Sequence, residues 1–323
     1  MQLQDLFIGS TVTIYARQIK ITGYSDDFTK KHFAAKREKT LALVKPHAVD
    51  NLGRIMDIIL ANELTISKIQ LIQLQRRDAE EFYGEHQGRP FFPALTGMMS
   101  QAPIVAMELI GMDAVAKWRA LLGPTNADEA RSTAPNSIRA QFGVDTTQNA
   151  CHGSDSAESA DRELGFFFGR NKPWPTTAHF QDCTLAIIKP HAVNSGLAGR
   201  IIDDILQEGF DITALEKFDM DRTTAEEFYE VYKGVVPEYS GMVDELTSGP
   251  CIAIEVRGEN VVANFRDVAG PADPEVGRYL RPKALRSRYG VDKIKNAIHA
   301  TDLPEDGKVE VDYFFQVLHN VRD

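Results

Sequence analysis

TLALVKPHAV stands at residues 40–49 and TLAIIKPHAV at 184–193, two stretches that differ at only two positions. The likeness runs well beyond them. EEFY ends at Tyr83 and again at Tyr229, and APIVAME at 102–108 parallels GPCIAIE at 249–255. Arg139 precedes FGVD as Arg286 precedes YGVD, and NACH at 149–152 matches NAIH at 296–299. The offset drifts only from 144 at the lysines to 146 at the tyrosines and 147 at the histidines. A nearly constant shift, slipping only where loops fall, marks one domain used twice.

Each repeat alternates strands and helices. In the first, apolar runs at 41–44 and 103–110 and the alternating stretch 66–74 read as strands. Ile55, Ile58 and Ile59 have helical spacing within 54–61, and 78–86 reads as a helix behind an Asp cap. A further helix is expected at 114–122. Asp155-Ser-Ala-Glu158 fits the reciprocal capping pattern that opens a last helix. The order predicts an α+β chain of two tandem ferredoxin-like (βαββαβ) domains, each an antiparallel sheet with helices on one face. The boundaries read as an N-terminal segment 1–38, a first domain 39–169, a linker 170–182 and a second domain 183–323. The linker rests on the Pro-rich, aperiodic NKPWPTTAH at 171–179. Short strands at 11–15 and 18–21 are expected in a leader too small to build its own core.

Composition suits this plan. The 323 residues are 43% hydrophobic and 25% charged, enough for two cores. No apolar run nears the ~18 residues of a membrane span, and no secretory leader is read at the start. Cys151, Cys183 and Cys251 show no paired spacing, which points to small core residues in a reducing cytosol. The net charge of −10 argues against nucleic acid as a partner. It is unevenly spread, with +3 on residues 1–39 and −13 on the rest.

The polar positions that both repeats share are Lys45 and Lys189, Arg119 and Arg266, Arg139 and Arg286, and His152 and His299. Arginine forks and a lysine point charge near a histidine suit an anionic phosphate. A neutral imidazole is a competent nucleophile when a carboxylate holds its other nitrogen. Glu163 and Glu310, each eleven residues beyond its histidine, are placed to do that. No G-x-x-x-x-G-K-[ST] loop or protein-kinase signature exists, so side chains must hold any phosphates. No H-E-x-x-H or paired-cysteine pattern supports a metal held by the protein.

NACHGSDSAESA at 149–160 closely resembles the N-x-x-H-G-S-D-S active-site signature of nucleoside diphosphate kinases. The resemblance covers 40–168 and, more loosely, 184–318. It implies a ping-pong transfer of the γ-phosphoryl of an NTP to an NDP through a phosphohistidine, with Mg²⁺ carried on the nucleotide phosphates. Carried over, His152 matches the nucleophile, and Ser154 and Glu163 the pair that orients it. Lys45, Tyr83, Arg119, Thr125, Arg139 and Asn149 match residues around the phosphates and ribose. Phe91, within RPFF at 89–92, matches the base-stacking aromatic.

The second repeat departs from this pattern. His299, Lys189, Tyr229, Arg266, Arg286, Asn296 and Glu310 match, but Thr301 replaces the serine and Ala272 aligns with Thr125. VVPEY at 235–239 replaces RPFF. A lost stack of about 1–3 kcal/mol and a lost charged hydrogen bond of about 1.5–3 predict a second site weaker by roughly 10²–10⁴.

The stretch from Gly123 to Arg139 is longer than usual in a region that makes trimer contacts in this family. The resemblance therefore implies pairing of the repeats as an intramolecular pseudo-dimer in place of the usual hexamer. LFIG at 6–9, SDDFT at 25–29 and REKTLAL at 37–43 resemble a ciliary and centrosomal branch of the family, in which a small DM-type domain precedes two kinase domains. That likeness makes 1–38 a partial DM-type segment. It implies tubulin or axonemal or centrosomal microtubule proteins as partners, and a cytoplasmic, cytoskeletal location at the cilium axoneme or basal body. A basic leader suits tubulin's acidic surface. Two functions are expected from this: a phosphotransferase working at His152, or a structural microtubule-associated scaffold with little turnover.

Overall fold

The computed structural model describes residues 11–14, 17–26, 28–29, 37–169 and 173–321. LFIG, Tyr15, Asp27, Lys30, Lys31 and Lys36 of the leader lie outside the described residues, as do 170–172 of the linker and 322–323. In the described part of the leader, β1 (Thr11–Ile14) and β2 (Arg17–Lys20) pair as an antiparallel hairpin separate from the main sheet.

The first repeat contributes β3 (Arg37–Val44), β4 (Thr65–Ile72), β5 (Ile104–Met112) and β6 (Cys151–Gly153), in the antiparallel order β6-β3-β5-β4. The second contributes β7 (Cys183–Ile188), β8 (Asp211–Phe218), β9 (Cys251–Arg257) and β10 (Ile298–Ala300), ordered β10-β7-β9-β8. Both follow the ferredoxin-like order.

Helices cover both faces of the first sheet, which corrects the one-sided expectation. Every residue from Thr40 to Val44 is buried, so this strand has no wet face. Leu41 and Leu43 pack with Ala79, Leu95, Leu164 and Phe167, from the helices Arg76–Phe82, Phe92–Ser100 and Ala157–Phe168. Ala42 and Val44 meet Ile55, Ile59, Trp118 and Leu122, from the helices Leu52–Ala61 and Ala114–Leu122.

Two helix starts also differ from the pattern reading. Asp78 is the third residue of Arg76–Phe82, not its cap, and its Oδ2 accepts the Gln75 N–H at 2.9 Å. That helix ends at Phe82, and a tight turn follows at Gly84–His86. The helix Ala157–Phe168 is capped by Ser156 rather than Asp155, with Ser156 Oγ accepting the Ser159 N–H at 3.0 Å. The helices Phe92–Ser100, Ala127–Thr133 and Ile138–Phe142 have no clear apolar period, so the sequence pattern does not reveal them.

The two sheets are continuous. Gln70 of β4 pairs with Glu216 of β8, making one eight-stranded sheet, and Lys217 Nζ donates to the Ile66 carbonyl at 2.6 Å. Beneath this seam the helices Leu52–Ala61 and Ala198–Gln207 cross at Gly53 and Gly199. A Cβ on Gly53 would stand 2.4 Å from the backbone of Asp203 and Gly199, and one on Gly199 would stand 2.6 Å from the Gly53 carbonyl oxygen. One apolar cluster runs through the crossing from Ile55 and Met56 to Ile201, Ile202 and Ile205.

Candidate active site

β6 is an edge strand of three residues, and its His152 lies opposite Leu43. Ala150, just before it, has φ of 66°, and Ala297 before β10 has φ of 70°. A left-handed backbone is costly for alanine, and such strain gathers where a fold must aim a side chain. Two bonds hold the bend in place. Lys45 N–H donates to the Ala150 carbonyl at 2.8 Å, and Ala150 N–H donates to His47 Nε2 at 3.1 Å.

His152 Nε2 lies 3.0 Å from Glu163 Oε2, and Ser154 Oγ donates to the same oxygen at 2.7 Å. Ser154 Oγ in turn accepts the Leu41 N–H at 3.2 Å, so the triad is tied to the central strand. A carboxylate can only accept, so Nε2 carries the ring proton and Nδ1 keeps its lone pair. Nδ1 makes no hydrogen bond among the described residues. Glu163 is 5% exposed and His152 packs edge-on to Phe82 at 5.4 Å, which fixes the ring.

Lys45 is buried at the end of β3, where Nζ donates to Asn149 Oδ1 at 2.7 Å and the Thr147 carbonyl at 2.8 Å. Burial, helped by the Arg139 charge, pulls its pKa down to about 8. Burial also lowers Arg139, whose guanidinium donates to the Gly123 carbonyl at 2.8 Å and leaves Nε unpartnered. Asn149 Nδ2 donates to the Thr125 carbonyl at 3.0 Å. The buried Tyr83 hydroxyl has no partner either, and burial raises its pKa.

These groups meet in a cavity of about 510 Å³. Lys45, Tyr83, Arg119, Thr125, Arg139, Asn149, His152 and Glu163 all line it, while Ser154 stands behind the histidine. Phe91 caps the helix Phe92–Ser100 at the mouth, 47% exposed. Three clustered cations, two of them desolvated, and orphaned donors facing a free imidazole nitrogen can hold a phosphate chain end-on to a nucleophile. Among the described residues no group of three His, Cys, Asp or Glu side chains is placed to hold a metal. His47 is a supporting residue that the sequence reading leaves out; its signal is its place inside the repeated KPHAV.

The second repeat builds a cavity of about 700 Å³. Lys189, Tyr229, Arg266, Arg286, Asn296 and His299 line it, and Glu310 lies behind the histidine. His299 Nε2 lies 2.8 Å from Glu310 Oε2, and Thr301 Oγ1 donates to that oxygen at 2.8 Å while accepting the Leu185 N–H at 3.1 Å. Thr301 thus makes the same bonds as Ser154. Burial lowers Lys189 to about 7 and Arg286 to about 10. Glu238 caps the helix Tyr239–Leu246, the position that Phe91 holds in the first repeat.

The family model for nucleoside diphosphate kinase matches residues 38–172 and again 182–319. A rat protein, nucleoside diphosphate kinase homolog 7, is 47% identical over 99% of this chain and 82% of its own length. The nucleoside diphosphate kinase of Aquifex aeolicus is 46% identical over 41% of this chain and 94% of that protein. A crystal structure of the Aquifex aeolicus enzyme matches 41% of this chain and 96% of its own, with 45% identity and a TM-score of 0.41. With the family model met twice and both repeats sharing one fold, this chain belongs to the nucleoside diphosphate kinase family.

Proposed function

We propose that the chain transfers the γ-phosphoryl group of a nucleoside triphosphate to a nucleoside diphosphate, through a phosphohistidine on Nδ1 of His152. The observation that carries this is the His152 ring, with Nε2 held by buried Glu163 and Nδ1 open to a cavity lined by Lys45, Arg119 and Arg139. In the first half-reaction the Nδ1 lone pair attacks the γ-phosphorus. The bond to the β,γ-bridging oxygen breaks, and the electron pair leaves with the nucleoside diphosphate. In the second, a β-phosphate oxygen of another diphosphate attacks the same phosphorus, and the N–P bond returns its electrons to the ring. Glu163 balances the positive charge on the ring while the N–P bond exists. Lys45, Arg119 and Arg139 offset the charge of the transferring group. Lys45, Arg119 and Arg139 suit the phosphates and offer no ligand to a metal, so a Mg²⁺ would be carried on the nucleotide phosphates, where it would neutralise oxygen charge. The test is labelling with γ-labelled ATP: an acid-labile, alkali-stable label on the protein, discharged by added diphosphate, is expected. Absence of label overturns the reading.

Nucleotide affinity at this site is expected to fall as pH rises. Lys45 must be charged to meet a phosphate, and its pKa of about 8 lies well below the ordinary lysine value. Calorimetric titration of the full chain with Mg-ADP from pH 6.5 to 9.5 is expected to show weakening of about tenfold above pH 8, from loss of one charged hydrogen bond. An affinity flat across that range contradicts the role given to Lys45.

A second reading, in which the chain is mainly a structural scaffold on microtubules with little turnover, draws on the unequal surface of the two halves. Val231, Val235, Tyr279 and Leu280 of the second half are all more than 70% exposed, an exposure that Phe91, Met112 and Val144 of the first half do not reach. Co-sedimentation with microtubules before and after removal of residues 1–38 tests it, with binding expected to fall on removal of the basic leader. Unchanged binding takes the leader out of this reading.

A further inference from the structure

The two pockets differ in one ion pair. In the first, the Arg119 guanidinium has no hydrogen bond or ion pair among the described residues. Asp155 is held away from it, with Oδ1 accepting from Ser159 Oγ at 2.6 Å in the opening turn of the helix Ala157–Phe168. In the second, the equivalent arginine, Arg266, is ion-paired to Asp302. Tyr232 donates to the other Asp302 oxygen at 2.6 Å, and its ring packs edge-on to Tyr229 at 5.8 Å.

Two replacements produce this change. The residue in register with Ser159 is Asp306, which cannot hold a carboxylate and repels Asp302. The residue in register with His86 is Tyr232, whose hydroxyl reaches the carboxylate. Both carboxylate oxygens are therefore satisfied across the cavity from His299. Burial raises the Asp302 pKa, but the bonds from Tyr232 and Arg266 outweigh it and hold the carboxyl below its ordinary value.

We propose that Tyr232 and Asp302 form an internal clasp that occupies Arg266 in place of a phosphate, and that this clasp restrains nucleotide binding at the second pocket. The inference rests on the nucleotide reading above and adds to it a specificity-determining pair. A carboxylate fixed on the guanidinium competes directly with a phosphate for the same donors. Tyr232 gives the clasp its persistence, because it holds Asp302 in the geometry that meets Arg266. The floor of the pocket is otherwise formed, since His299, Glu310 and Thr301 keep the bonding pattern of the first site. Loss of the Phe91 stack is a separate defect that opening the clasp does not repair.

The test uses the full chain and Mg-ADP in calorimetric titration. Wild type is expected to show one tight and one weak class of site. Tyr232→Phe keeps the ring and removes only the donor, and Asp302→Asn removes the competing charge. Each is expected to tighten the weak class about tenfold and leave the tight class unchanged. Tightening in both variants supports the clasp. Tightening in Asp302→Asn alone overturns the part given to Tyr232. Absence of tightening in both overturns the clasp, whether or not the tight class is present. Absence of the tight class in wild type counts instead against the nucleotide reading of the first pocket.

Discussion

His152→Ala is expected to remove the acid-labile label and to lower NTP-to-NDP transfer by at least about 10³-fold, because the variant has no atom to carry the phosphoryl group between nucleotides. Nothing else in the first cavity can substitute. Tyr83 is buried with a raised pKa, so its hydroxyl stays protonated, and Cys151 is buried with its thiol pushed up to about 12. The paired variant His299→Ala is expected to retain most of the label and of the turnover. His299 has a glutamate partner, Glu310, in the place of Glu163, yet its pocket lacks the aromatic platform and has its arginine occupied. Phosphoryl transfer and acid-lability assays on the two purified variants decide the matter. Equal loss in both would show that the second site turns over as well as the first. Full retention in His152→Ala sinks the assignment of the nucleophile.

Much of this is legible in the chain. The repeat shows because near-identical decapeptides recur close to one offset, and the strands β3 and β5 because each carries a short apolar run, at 41–44 and 104–107. The histidine and its glutamate pair from spacing alone, since a three-residue strand followed by a turn and a helix brings residues eleven apart together. Other features depend on distances that no local pattern encodes. Helices on both sides of the sheet follow from a strand buried on both faces from Thr40 to Val44, and an apolar run marks a strand without saying what covers its second face. The strand pairing at the seam is a single pair, Gln70 with Glu216, and neither residue stands out in its strand. Tyr232, Asp302 and Arg266 are scattered over 71 positions of sequence, and only the folded pocket shows that they touch.

The seam between the halves predicts the other large effect. Gly53→Ala is expected to destabilise the chain, although the same change stabilises an ordinary helix interior by about 1 kcal/mol. Gly53 sits in the first turn of Leu52–Ala61, and an added Cβ would lie 2.4 Å from both Asp203 N and the Gly199 carbonyl oxygen, with the Asp203 Cα at 2.7 Å. These are backbone atoms of the facing helix, so no rotamer can relieve the overlap. The helices must separate, opening the apolar cluster they share and loading the single β4–β8 pair beside it. A cost of about 3 kcal/mol, the upper end of ordinary overpacking, is expected, read as a lower Tm and an earlier midpoint in denaturant. Gly165→Ala is the control, since that glycine lies within Ala157–Phe168 and a Cβ added there would meet no atom within 4 Å. It is expected to leave the Tm unchanged or raise it slightly. If Gly53→Ala also leaves the Tm unchanged, the close crossing of the helices does not hold the two halves together.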